Sequence, residues 1–218
     1  MKVIITGATG FIGSAVVNGC IANQAISSII TLSRRDLKVS DTKVTNLVIQ
    51  DFKNYSESEI EQMKGAEAAI WCQGVPKQDI AANFEYPLAG VKAFETNLIT
   101  HLPHAVQKFR FVYLSGALVE RDQNKSLWFA KDLRLQRGDL ESRFVSFEEE
   151  HSQHWQTIIA KPAGVLSNDS IVSKFLLPSF SIWVQHLAEA LIDAAINGSE
   201  TQTLENAELK RRGQMLLS

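Results

Sequence analysis

Residues 3–13, Val-Ile-Ile-Thr-Gly-Ala-Thr-Gly-Phe-Ile-Gly, restrict the fold more than any other part of this chain. An apolar run of strand length leads straight into Gly7, Gly10 and Gly13, and helical periodicity follows through Ala15, Val16, Val17 and Ile21. Strand, tight turn and helix start, in that order, make the cradle that holds a dinucleotide pyrophosphate. Gly7 allows the turn, Gly10 lets backbone approach the phosphates, and Gly13 lets the helix pack closely on the strand. The free N–H groups of the first helical turn face the anion.

Five further apolar runs alternate with helical patterns: Ile29-Ile30-Thr31-Leu32, Leu47-Val48-Ile49, Ala68-Ala69-Ile70-Trp71, Phe111-Val112-Tyr113-Leu114 and Thr157-Ile158-Ile159-Ala160. Short, continuously apolar strands suit a parallel sheet covered on both faces, with the helices as right-handed crossovers. The pattern predicts an α/β fold: a doubly wound, mainly parallel Rossmann-type sheet of six or seven strands. A length of 218 residues suits a single domain over 1–218. The region around 166–182 reads as a loop-rich excursion on the substrate side, and 201–218 as a peripheral helix or tail.

A net charge of −2 with acidic and basic residues well mixed gives no nucleic-acid surface. No apolar run reaches membrane-spanning length and no secretory segment is recognisable, so no membrane partner and a cytoplasmic location are expected. Cys20 and Cys72 have no ligand or redox spacing and read as buried free thiols.

In such a sheet the ligand crevice lies at the carboxyl ends of the strands. Ser33-Arg34-Arg35-Asp36 follows the second run. Arginines there bind a ribose 2′-phosphate through forked, charge-assisted donors, whereas an acidic residue would bond a 2′-hydroxyl. Arg34 and Arg35 therefore favour NADP over NAD, with Asp36 dissenting from beyond them. Asp51-Phe52 after the third run, and Cys72 and Gly74 after the fourth, are candidates for the adenine and ribose; loop punctuation explains them too.

These residues resemble the short-chain dehydrogenase/reductase superfamily, in particular its small atypical members of the Tat-interacting-protein type and small fungal relatives. Thr6 to Gly13 is similar to their fingerprint, which implies that Thr9, Phe11 and Ile12 join the glycines at the cofactor. Ser33-Arg34-Arg35 resembles their NADP-selecting turn. Phe111 to Ala117 looks like the strand that ends in the family's active-site serine, here Ser115. Lys161-Pro162-Ala163-Gly164-Val165-Leu166 is similar to the segment lining the nicotinamide, which implies cofactor contacts from Lys161, Pro162, Gly164 and Val165.

The chain departs from that family where proton transfer takes place. The family's acid is a Tyr four residues before a Lys on one helical face, the cation lowering the phenol's pKa. Aligned on Gly138 and Glu141, Leu133 takes the Tyr position and Arg137 the Lys position. Leu133 cannot transfer a proton. Arg137 can hold the nicotinamide ribose but stays charged at neutral pH. Ser115, and Asp122 and Lys125 in the following charged loop, are the replacement candidates, although a solvated loop explains the last two equally well. Tyr113 reads as core, and Tyr86 as a residue within reach of the pocket.

His101, His104, His151 and His154 stand three apart in pairs without further ligands, which argues against a metal. His186 lies on an amphipathic helix whose start borders the substrate in the family. Phe175, Leu176, Leu177, Phe180, Ile182 and Trp183 make the excursion apolar, suited to a hydrophobic small-molecule substrate, a partner-binding lid or a homodimer contact. The expected activity is an NADP(H)-dependent oxidoreductase acting on a small hydrophobic carbonyl or enone. The alternatives are a repurposed non-redox enzyme (isomerase, dehydratase or cyclase) and an inactive NADP-binding regulatory protein.

Overall fold

The computed structural model describes residues 1–75, 79–167 and 180–217. The strands are β1 (Lys2–Thr6), β2 (Ser28–Ser33), β3 (Val44–Val48), β4 (Ala68–Trp71), β5 (Phe109–Leu114), β6 (Trp155–Lys161), β7 (Gly164–Leu166), β8 (Ser181–Trp183) and β9 (Thr203–Glu205). The helices are α1 (Phe11–Ala22), α2 (Glu57–Met63), α3 (Tyr86–Leu98), α4 (Lys131–Glu150), α5 (Val184–Asn197) and α6 (Asn206–Leu217).

Seven strands form one parallel sheet in the order β3-β2-β1-β4-β5-β6-β9. The chain winds outward from β1 to β3, then returns to place β4 on the other side of β1. That reversal opens the crevice between the carboxyl ends of β1 and β4. Successive β1 side chains enter opposite cores. Val3 and Ile5 join α1 and α5 on one face, while Ile4 joins the cluster with Met63, Phe94 and Phe144 of α2, α3 and α4. All are fully buried, which accounts for the unbroken apolar runs.

The six expected strands are present, with β3 and β5 starting earlier than their most apolar residues. The seventh, β9, lies in the stretch read as a helix or tail. It pairs with β6 from Thr203 to Glu205 and buries only Leu204, too short a signal to read from periodicity. The rest of that stretch is α6. In the 166–182 excursion, β7 and β8 form a separate parallel pair. Ile182 is buried in the core, whereas Phe180 is exposed. Phe175, Leu176 and Leu177 lie outside the described residues.

Candidate cofactor site and neighbouring charge cluster

A cleft of about 270 Å³ opens at the β1/β4 reversal. Gly7, Thr9 and Gly10 form its floor, Arg34 and Arg35 one rim, and Cys72, Gly74 and Val75 the wall after β4. Phe52 closes one side, with Tyr86 packed on its ring at 5.7 Å. Tyr86 thus supports a cleft wall.

The three glycines have separable reasons. Gly7 has φ +69°, and a Cβ there would meet the Cys72 carbonyl carbon at 2.7 Å. A Cβ on Gly13 would lie 2.0 Å from the Gly7 oxygen, so α1 could not seat against the turn. A Cβ on Gly10 would meet only the Gly7 oxygen, at 3.2 Å. The protein's own packing dictates Gly7 and Gly13. Gly10 is the least constrained of the three by the protein's own packing.

Arg34 and Arg35 are exposed, and no carboxylate among the described residues pairs with either. Gln73 Oε1 and Arg137 Nε are buried without a hydrogen-bond partner among the described residues. Buried polar atoms are normally satisfied, so the open Gln73 acceptor on the cleft wall fits a ligand that carries hydroxyl or amide donors.

Arg137 extends from α4 to the wall after β4, where its NH2 donates to Val75 O at 3.1 Å and to Asn83 Oδ1 at 3.2 Å. Asn83 is buried in a turn of π-helix, Ala81–Glu85, and also accepts from Val75 N at 2.9 Å. Such turns concentrate at functional sites. Sequence reading passed over Asn83, since nothing local marks a π-turn.

The reaction end differs from expectation. The Ser115 hydroxyl donates to Glu141, which is completely buried on α4. Glu141 also accepts from Arg121 Nε at 2.7 Å and Lys161 Nζ at 3.4 Å. Lys161 Nζ donates to Val119 O at 3.0 Å. Ser115 and Lys161, expected at substrate and cofactor, are therefore engaged in a charge cluster that neutralises a buried carboxylate. Sequence reading used Glu141 only to align α4; the one local sign of its burial is its place three residues before Phe144, which is in the core.

Other expected residues lie off the cleft. Asp51 binds Lys53 N and Asn54 Nδ2 at 2.9 and 2.8 Å, and the Asn54 bond chiefly holds its carboxyl below the usual range. Asp122 accepts from Asn124 N in an exposed turn, and Lys125 pairs with Glu120 at 2.5 Å. Phe11 is exposed at the start of α1, where Ile12 packs against the core beneath the turn. Pro162 is buried and its carbonyl accepts from Ala117 N at 2.9 Å; Gly164 and Val165 belong to β7.

Tyr113 packs edge-on against Phe144, and burial pushes its phenol up to about 12. His151 and His154 flank Glu95 at the opposite end of the sheet. His186 sits beside Lys210 of α6, its pKa lowered by burial and then by that cation. None of the three histidines lines the cleft.

Sheet order, glycine turn and cleft together define an NAD(P)-binding Rossmann protein of the short-chain dehydrogenase type. The chain belongs to the NAD dependent epimerase/dehydratase family, which matches residues 3–126. It is 28% identical over 123 residues to Leucinostatins biosynthesis cluster protein T of Purpureocillium lilacinum, covering 53% of this chain and 42% of that protein. The chain therefore spans less than half of that relative. It is 24% identical over 216 residues to Protein FMP52, mitochondrial, of Meyerozyma guilliermondii, covering 90% and 86%. Among solved structures, yeast methylglyoxal/isovaleraldehyde reductase complexed with NADPH superposes with a TM-score of 0.66 at 16% identity, over 94% of this chain and 75% of that one. Among the described residues no helix is long and apolar enough to cross a membrane.

Proposed function

We propose that the protein is an NADP(H)-dependent oxidoreductase that acts on a small hydrophobic carbonyl or enone without the family's Tyr acid. The observation that carries the cofactor choice is the pair of guanidinium groups at the end of β2, exposed at the cleft rim and unpaired with any described carboxylate. A phosphate accepts from such forks by short, charge-assisted bonds, and a plain ribose hydroxyl offers no comparable partner. NADPH supplies a hydride when bound.

The chain's own contribution at the reaction end is position and charge. Arg137, on the helical face that holds a nicotinamide ribose in the family, keeps its Nε buried without a partner among the described residues. Leu133 leaves that face without a proton donor, and the Ser115 proton is directed to Glu141. Protonation of the product then falls to water, while orientation still supplies much of the acceleration. A slow reductase is the expected phenotype.

The same engagement of Ser115 favours a second reading, a repurposed non-redox or regulatory NADP-binding protein. Titration of purified protein with NADPH and NADH by fluorescence, followed by hydride transfer to a carbonyl and enone panel, separates the two. Failure to bind either nucleotide overturns both. Leu133→Tyr with Arg137→Lys should raise turnover of a reductase that lacks only its acid, and leave a non-redox protein inactive. A homodimer and a cytoplasmic location belong to this proposal and are decided by light scattering and cell fractionation.

A further inference from the structure

Nine large apolar side chains are exposed among the described residues, and six of them follow carboxyl ends of strands: Phe11, Ile80, Leu118, Trp128, Phe129 and Phe180. Three gather at one place. Leu118 is 61% exposed just beyond Ser115, and Trp128 and Phe129, 96% and 52% exposed, precede the first turn of α4. Their rings lie 5.8 Å apart. Arg134 ties the group together, its Nε donating to Leu118 O at 2.5 Å and its NH1 to Phe129 O at 3.4 Å. The chain enters α4 through Ala130 at φ +44°, left-handed backbone that is unfavourable for an alanine. Strain and an exposed tryptophan are thus both accepted beside position 133.

Two cations beside this patch lack a described carboxylate partner. Lys131 and Arg134 pair with no carboxylate among the described residues, whereas Lys125, Arg143 and Lys64 each have one. Of the nearby acids, Glu120 is held by Lys125, and Asp122 and Asp132 face solvent. Arg134 uses Nε and NH1 on backbone and keeps NH2 open among the described residues.

We propose that Leu118, Trp128 and Phe129, with Arg134 and Lys131, form the substrate-binding rim, and that the substrate is an amphipathic anion: an aromatic or long-chain apolar body bearing a carboxylate or equivalent acid. This deepens the oxidoreductase reading and rests on it for the claim that the bound molecule is a substrate. Stacking on the two rings holds the body, and the cationic pair holds the acid.

Anilinonaphthalene sulfonate, an aromatic anion, and phenylnaphthylamine, its uncharged counterpart, test the rim directly by fluorescence on the native protein. The sulfonate should bind about tenfold more tightly than the amine, the range of one charge-assisted contact. Trp128→Ala with Phe129→Ala should weaken both probes about tenfold or more. Lys131→Gln, at an exposed residue, and Arg134→Gln should erase the preference for the anion, and Arg134→Lys should restore part of it.

Equal affinity for the two probes, or sulfonate binding unchanged in the double alanine variant, overturns the proposal. So does Trp128-dependent sedimentation with phosphatidylserine vesicles in the absence of probe binding, which would make the patch a membrane contact. NADPH affinity, measured on the same variants, should not change. Loss of NADPH binding by the parent protein with the probe pattern intact would refute the cofactor reading while leaving the amphipathic-anion rim standing.

Discussion

The Ser115 hydroxyl points inward to Glu141, so the residue that most resembles a catalytic serine secures a buried carboxylate. Arg121 and Lys161 complete the neutralisation from a loop and from β6. The cluster therefore joins the carboxyl ends of β5 and β6 to α4, the elements that frame the reaction end.

Glu141→Ala should cost roughly 3–5 kcal/mol of stability, because Lys161 and Arg121 would lose the carboxylate that pairs them. Ser115→Ala removes one donor and should cost about 1–3 kcal/mol. Urea unfolding of the two variants measures both. A Ser115→Ala protein of unchanged stability but lost turnover would return Ser115 to a catalytic role.

Gly10→Ala and Gly13→Ala should separate fold from ligand. Gly13→Ala forces α1 away from Gly7 and should lower stability by about 1–3 kcal/mol or more, as overpacking does. Gly10→Ala, whose Cβ meets only the Gly7 oxygen at 3.2 Å, should lower the melting temperature far less than Gly13→Ala and still weaken nucleotide binding. Calorimetry and NADPH titration on the pair decide this.

Replacing Arg34 and Arg35 with alanine should weaken NADPH binding by about 10–100-fold, the worth of one or two charge-assisted bonds. NADH affinity should hardly move. Equal losses for the two nucleotides would mean that the arginines contact the shared part of the cofactor.

Burial pushes the Cys72 thiol up to about 12 and raises Cys20 further. Neither should react with a disulfide reagent at pH 8 in the folded protein, and both should react once urea unfolds it. Their folded pKa values exceed the ordinary 9.0, so the stability gained by keeping them protonated is complete below about pH 9. It should be lost as pH rises toward 12. Tyr113, also raised by burial, acts in the same direction.

Six of the seven strands of the main sheet and the glycine turn were legible because each writes a local signal: a run of buried β-formers, or glycines at fixed offsets. Leu204 alone could not announce β9, whose place is set by pairing with β6. The cleft rim was legible at Arg34 and Arg35, which follow a strand end. Ser115 was misleading. Its position matched the family, but its hydrogen-bond partner is 26 residues away and appears only when α4 folds over β5. Arg121 and Asn83 were missed for the same reason, since their roles arise from contacts distant in sequence.

The Arg137 guanidinium grips Val75, a residue of the cleft wall 62 positions earlier, from the helix that also carries position 133. Cofactor pocket and reaction end consequently share one fastener. A ligand that held Val75 in place would, through this bond, also hold Arg137 and the turn of α4 that carries it. Binding of nucleotide and of the second reactant should then be ordered rather than independent, with the nucleotide entering first.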